Sequence, residues 1–351
     1  MNKEIQKILE ISINAPSGSN SQPWKFLVKD SQIDVLALPE KDHPILNYHN
    51  RGTWVAHGAL VENILISASA LGYTAELKVF PDNSNPNITA RILLVKSDPQ
   101  NESLFDDIPL RATNRKPYSN TPLTAEQKKE LMSSIEEIGG NLDLRLTDDR
   151  KAMKILGEAG SVNEIVMLEN EKLHKLFFDE IVWTKDEEAI KKSGLYLKTM
   201  ELKPPQQTAL RIFRKWPVMN VLNKFKVARV IAKGNAKIYA SSGAMGVIIC
   251  KDQDGDFIQV GRLMERLWLK ATQMKLSFHI ITGVLFFHQK IKSGDVSIFS
   301  KKQINLIESA YEKIRAIFDI KNGVIAIMFR IGGGGEPSAR SIKSEPDIKF
   351  N

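Results

Sequence analysis

A stretch around residue 58 recurs around residue 261, and this repeat limits what the chain can fold into. With Gly58 set on Gly261, Trp54 meets Phe257, Leu60 meets Leu263, Glu62 meets Glu265, Ile64 meets Leu267 and Ala68 meets Ala271. Each copy is followed by a strand-like run. Two amphipathic helices can agree in apolar spacing by chance. A glycine and a glutamate shared in register favour a duplication instead. Both copies are apolar over a wide arc, as helices at the centre of a molecule must be. The expectation is a fused dimer in one chain, with the two repeat helices packed together at its middle.

Local patterns fill in the rest. Helices are expected over 3–13 and over 54–71, where Val61, Ile64, Leu65, Ala68 and Leu71 recur at helical spacing and Gly72 closes the run. Strands are expected over 25–29 and 33–38, joined by an Asp30-Ser31 turn, and over 75–80 and 89–96. A second block begins at Arg111. Its helices over 124–138 and 300–319 open on capping boxes, Thr124 with Gln127 and Ser300 with Gln303. Further helices fit 148–157, 162–178 and 259–274, and strands fit 141–147, 246–250 and 323–330. The stretch 180–237 is charged and broken by Pro204-Pro205 and Pro217, unlike a core.

Between the first helix and the first strand lies NAPSGSNSQPWKF, residues 14–26. Pro16 to Pro23 are turn formers and short polar side chains, so the segment offers backbone N–H groups, hydroxyls and amides at close range. It reads either as a plain connecting loop or as the lining of a flat, polar-edged ligand. Arg111-Ala112-Thr113-Asn114-Arg115 places two guanidiniums four residues apart with a hydroxyl between. Arg330 and Arg340 flank the run Gly332–Gly335. Guanidinium forks suit phosphate oxygens, although each arginine alone also fits an ordinary surface. The glycine run is neither a P-loop nor a dinucleotide fingerprint, since no Gly-Lys-Ser/Thr and no helix follows.

Other chemistries find no pattern. The six histidines show no metal-ligand spacing, and no GxSxG elbow occurs. Cys250 is the single cysteine, which excludes an intramolecular disulfide. This favours chemistry carried by an organic cofactor. The chain of 351 residues is 42% hydrophobic and 26% charged, which fits a soluble globular protein able to bury a large core. The opening MNKEIQKILE lacks an apolar leader stretch, and apolar runs such as 324–329 are too short to span a bilayer. The expectation is a cytoplasmic protein with no membrane partner. The formal charge of +8 reads as a lysine-rich solvated surface spread along the chain, with no nucleic-acid motif.

Taken together, APSGSNSQPWKF resembles the flavin-binding segment of the nitroreductase family. RATNR followed by KPY resembles that family's phosphate-binding start. Residues 261–284, ending IITGV, resemble its central helix and the loop at the flavin ring, and FRIGGGGEPSARSIKSEPD resembles its C-terminal stretch. The resemblance implies an α+β, nitroreductase-like fold and FMN held at a dimer interface. Here the serine-asparagine-glutamine segment precedes RATNR by about ninety residues, so each half carries part of one flavin site. That is similar to a smaller group of fused members, in which two pseudo-symmetric halves in one chain mimic the family homodimer and an extra segment covers the flavin. On this reading residues 1–108 form the first half and 109–351 the second, with the covering segment at about 161–237.

Carried over by position, the resemblance puts Arg111, Thr113, Arg115 and Arg340 on the phosphate. Ser17, Ser19 and Asn20 fall on the ribityl and phosphate side, Gln22 at the ring edge, and Thr282 and the Gly283 N–H near the flavin N5. Two functions follow as expectations. One is an FMN-dependent oxidoreductase taking hydride from NADH or NADPH and passing it to a nitro compound, quinone or similar small-molecule substrate. The other is a non-catalytic protein that sequesters FMN beneath its cover. Either would act as a monomeric pseudo-dimer or a weak homodimer.

Overall fold

The computed structural model describes residues 2–43 and 45–351; Met1 and Pro44 lie outside the described residues. The strands are β1 (Trp24–Lys29), β2 (Gln32–Ala37), β3 (Tyr73–Val79), β4 (Ile88–Lys96), β5 (Asp143–Thr147), β6 (Ile181–Val182), β7 (Leu195–Tyr196), β8 (Ala244–Cys250), β9 (Ser277–Ile280), β10 (Val324–Gly332) and β11 (Ile348–Phe350). One sheet has the order β11-β1-β2-β4-β3 and another β5-β8-β10-β9, while β6 and β7 form a short ladder of their own. Neighbours in the two larger sheets run antiparallel, except β11, which adds to β1 in parallel with Ile348 opposite Phe26.

The elements recur in one order. Helix Asn2–Ser12, β1, β2, helix Arg51–Ala70, β3 and β4 come first; helix Ala125–Ile138, β5, β8, helix Asp254–Gln273, β9 and β10 follow. The spatial orders β1-β2-β4-β3 and β5-β8-β10-β9 match element for element. Where the first run turns through Asp30-Ser31, the second leaves the sheet at Thr147 and returns at Ala244. The long insertion thus replaces a two-residue hairpin turn.

The helices Arg51–Ala70 and Asp254–Gln273 cross at the two repeat glycines. A methyl on Gly58 would stand 2.0 Å from the Ile258 carbonyl oxygen, and one on Gly261 2.0 Å from that of Val55. Val55 and Ile258 are themselves equivalent under the repeat, so the contact is reciprocal. Only glycine lets two helix backbones come so close. The largest core cluster surrounds this crossing, with Leu60, Val61, Ile64, Leu263 and Leu267 inside it. The two repeated glutamates are both fully buried but do different work. Glu62 receives Arg262 at 2.9 Å and Arg266 at 2.5 Å from the opposite helix. Glu265 faces Arg111 at 3.2 Å.

Both capping boxes form as expected, at Thr124 and at Ser300. The stretch 162–178 is two helices, Val162–Glu169 and Glu171–Asp179, separated at Asn170, whose side chain caps the second. Pro204, Pro205 and Pro217 start helices Pro204–Phe213 and Trp216–Lys224, positions where a missing N–H costs nothing. The insertion also has a small core of its own, around Phe178, Ile181, Leu197, Met219 and Ala228. β9 is the strand-like run after the second repeat helix, whereas helices Val227–Ala240 and Gly283–Lys292 and strand β11 had no counterpart among the sequence expectations. Through β11 the C-terminal residues join the sheet built by the first hundred, across the division expected at residue 108.

Candidate functional site

The loop 14–23 is a strained scaffold. Ser19, Asn20 and Gln22 all hold positive φ, at 45°, 56° and 50°, which side chains other than glycine adopt only when their surroundings enforce it. Here the surroundings do so. The Ser17 hydroxyl accepts from the Gln22 N–H at 2.9 Å. The Asn20 amide donates to the Ile342 carbonyl at 2.9 Å. Gln22 donates to the Lys192 carbonyl at 2.7 Å and accepts from the Ser344 N–H at 2.9 Å. Lys343 donates to the Ala15 carbonyl at 2.7 Å and to the Asn20 side chain at 2.8 Å. The C-terminal tail therefore clamps this loop on its way to β11.

The segment 111–115 lies along β9, with Thr113 bridged to Phe278. Asn114 donates to the Gly335 carbonyl at 2.7 Å and to Ser277 at 3.0 Å. Arg330 is fully buried and donates to the carbonyls of Lys116 and Ile238, while its guanidinium lies 3.9 Å over the Tyr118 ring. It is a prop for this segment and has no free face for a ligand. Arg111 donates to the Asn14 carbonyl at 2.6 Å and stacks 4.4 Å over Trp268.

These segments enclose a cleft of about 730 Å³ with an adjoining side pocket of about 130 Å³. Ser17, Ser19, Thr113 and Arg115 line both; Thr282 and Gly283 line the cleft, and Asn20, Arg111 and Arg340 the pocket. Gln22 lines neither, because the tail and the Lys192 carbonyl use its amide. Arg340 is half exposed and pairs with Glu336 at 3.1 Å. At Gly283, a methyl would fall 2.0 Å from the Asn163 side-chain oxygen, so the bare backbone there lets Asn163 of the insertion close against the cleft floor.

Sequence reasoning passed over four residues at this site. Lys343 lines the side pocket; burial and then Arg111 push its ammonium down to about 7. Burial pushes Glu265 up to about 7 against the opposing pull of Arg111, its ion-pair partner at 3.2 Å. Buried His279 lines the cleft and accepts from Arg330 at 3.2 Å; burial and the nearby arginines hold it well below the usual histidine value, hence neutral. Glu180 reaches in from the insertion and accepts from the Ser19 hydroxyl at 2.5 Å, and burial raises its carboxyl. Two of them had a visible signal, Lys343 as the next basic residue after Arg340 and Glu265 as the repeat counterpart of Glu62.

The insertion closes this side of the site with acceptors. Besides Glu180, the Thr199 carbonyl takes Arg115 at 3.0 Å, Glu188 takes the Ile342 N–H at 2.8 Å, and Glu201 takes the Ser338 N–H at 2.6 Å. Among the described residues no cluster of histidine, cysteine or carboxylate side chains could hold a metal ion, and no helix is long and apolar enough to cross a membrane.

No family model matches the chain. An uncharacterized protein of Mycobacterium tuberculosis (strain CDC 1551 / Oshkosh) is 24% identical over 292 residues, which cover 80% of this chain and 39% of that protein. The "Putative NAD(P)H nitroreductase acg" of the same strain is 24% identical over 177 residues, 50% of this chain and 53% of that protein. The chain thus spans about two fifths of the first relative and about half of the second. Among solved structures, an FMN-dependent nitroreductase from Clostridium difficile R20291 aligns with a TM-score of 0.38 at 12% identity, over 70% of this chain and 98% of that one. Through such curated relatives the chain has a distant relationship to nitroreductases.

Proposed function

We propose that the cleft binds FMN and that the protein is an NAD(P)H-dependent flavin oxidoreductase acting on a nitro compound, quinone or similar small molecule. The observation that carries this is convergence. Four basic side chains from two distant segments, Arg111, Arg115, Arg340 and Lys343, border one small pocket that opens into a cleft of ligand size. Such a cluster is costly without an anion, since its charges repel and burial strips the water of Arg111, Arg115 and Lys343. A phosphate dianion would relieve both costs. The residues therefore fit FMN: the four cations and Thr113 at the phosphate, Ser17 and Ser19 along the chain that joins it to the ring, and Trp268, Thr282 and Gly283 within the wider cleft.

FMN when bound supplies the capacity to accept and pass on a hydride. The protein's part is to hold its charges, to keep His279 neutral beside the cleft, and to exclude water with the insertion. The matching element orders and the reciprocal glycine contact support a fused pseudo-dimer. Only the first run has the long loop 14–23, and only the second carries 111–115, so the two together make one site.

A second reading, an FMN-sequestering protein, is favoured by the insertion itself. Its acceptors occupy Ser19 and Arg115, groups the cofactor would use. The decisive experiment has two stages. Purified protein should be yellow with one FMN per chain by absorbance; two per chain, or none after loading, overturns the site. Stopped-flow mixing with NADH and NADPH should then bleach the flavin. A loaded protein inert to both would be the sequestering protein.

A further inference from the structure

The formal excess of +8 is not spread along the chain. Residues 203–237 carry nine of its 49 basic side chains and none of its 41 acidic ones, so this one segment accounts for the whole excess. It folds into three helices packed in series: Pro204–Phe213, Trp216–Lys224 and Val227–Ala240. Their inner faces, including Phe213, Trp216, Met219 and Ala228, pack on the insertion's core. Their outer faces hold apolar side chains without cover: Ile212 is 52% exposed, Val221 52%, Val230 68% and Phe225 75%.

Apolar and basic side chains share these outer faces. Val221, Lys224 and Phe225 fall at helical spacings of three and four, as do Val230, Lys233 and Lys237. Phe225 stands at the corner between two helices with Lys224 on one side and Lys226, itself at positive φ, on the other. We infer that the outer face of 203–237 docks on an anionic lipid surface, with Phe225, Val221 and Val230 entering the headgroup boundary and the lysines on lipid phosphates, while Arg211 and Arg214 stay over the Trp183 ring and Arg229 beside Glu169. A helix face with basic residues around aromatic and aliphatic ones lies in the interfacial plane for this reason. This goes against the expectation of a protein with no membrane partner.

Charge complementarity selects this occupant. A second copy meeting this face across a two-fold axis would bring like charges together. A nucleic acid would satisfy the cations but leave Ile212, Val221 and Val230 exposed against a polar backbone. Only a lipid surface takes both. Because the same insertion covers the cleft through Glu180 and Thr199, docking would hold the covering segment at the bilayer.

The test is co-sedimentation of the full chain with vesicles of phosphatidylcholine alone or of phosphatidylcholine with phosphatidylglycerol. Binding to the second only, weakened by added salt, is expected. Lys224→Gln with Lys226→Gln should weaken it about 25-fold, about fivefold for each lysine removed. Phe225→Ala should weaken it at every salt concentration. Both variants sit on exposed positions, and an unchanged unfolding midpoint confirms that the fold is kept. Equal binding to both vesicles, or to neither, overturns the inference. So does tight binding of RNA with the vesicles left free, or self-association abolished by Phe225→Asp with no vesicle binding.

Discussion

Replacing Gly261 by alanine tests the centre of the architecture. The new methyl would sit 2.0 Å from the Val55 carbonyl oxygen and 2.8 Å from the Gly58 Cα, both of them backbone atoms that no rotamer change can move. An ordinary contact is about 3.5 Å, so the two helices must part by about 1.5 Å at the crossing. A gap of about 0.5–1 Å already forfeits a quarter to a half of the dispersion energy, so contacts opened by the full separation lose more than that, around a crossing that includes Leu60, Ile64, Leu263 and Leu267. Alanine gains about 1 kcal/mol of helix propensity over glycine, which offsets part of the loss. The net expectation is a destabilisation of about 3 kcal/mol, at the upper end for overpacked cores. Gly58→Ala should cost a similar amount. Because both methyls force the same separation, the double variant should cost less than the two singles added. Gly234 supplies the control: it lies within helix Val227–Ala240, and a methyl there meets nothing within 4 Å. Gly234→Ala should stabilise by up to about 1 kcal/mol. Urea unfolding followed by the fluorescence of buried Trp54 and Trp268 measures all four. If Gly261→Ala unfolds with the wild-type midpoint, or no earlier than Gly234→Ala, the close crossing is wrong.

At the phosphate pocket, Lys343→Met should weaken FMN by about 10- to 100-fold, since a charged hydrogen bond contributes about 1.5–3 kcal/mol. Arg340→Ala should cost less, because its guanidinium is half exposed and already paired with Glu336. Riboflavin, lacking the phosphate, should bind each variant like the wild type; equal loss of FMN and riboflavin would make these residues structural. With Lys343 pushed down to about 7, its cation is complete below that pH and lost above it, while Glu265 becomes an anion over the same range. FMN affinity in titration calorimetry should therefore fall as pH rises through about 7, and Lys343→Met should flatten the profile; an affinity that rises with pH would contradict the assignment. The unfolded lysine keeps its proton up to 10.5, so the unfolded chain binds more protons between about 7 and that value, and stability linked to Lys343 should rise across the interval. Finally, Glu180→Ala removes the acceptor on Ser19 and should speed NAD(P)H oxidation by the loaded protein; an unchanged rate would show that this contact does not hold the cover shut.

What could be read in the chain beforehand was what is local or periodic. The capping boxes at Thr124 and Ser300 are three-residue patterns whose geometry needs nothing from the rest of the fold, and both formed. The glycine pair was legible because Gly58 and Gly261 meet at the helix crossing, so one physical demand for close approach marks both positions. RATNR and the serine-rich loop could be found as segments, but which side chains turn inward was decided by partners far away in sequence. Gln22 points to the Lys192 carbonyl and the Ser344 N–H, 170 and 322 residues distant. Lys343 stands deeper in the pocket than Arg340 because the tail runs on to pair β11 with β1, and a three-residue strand carries no alternation from which that pairing could be read. In the sequence Pro204 and Pro217 read as breaks because proline stops a helix; it also starts one, and only the packing of Trp216 and Phe213 on the insertion's core distinguishes the two uses. The acid-free segment 203–237 was visible from composition all along. Averaging charge over the whole chain hid it, which is why charge has to be counted by folded element before its partner is judged.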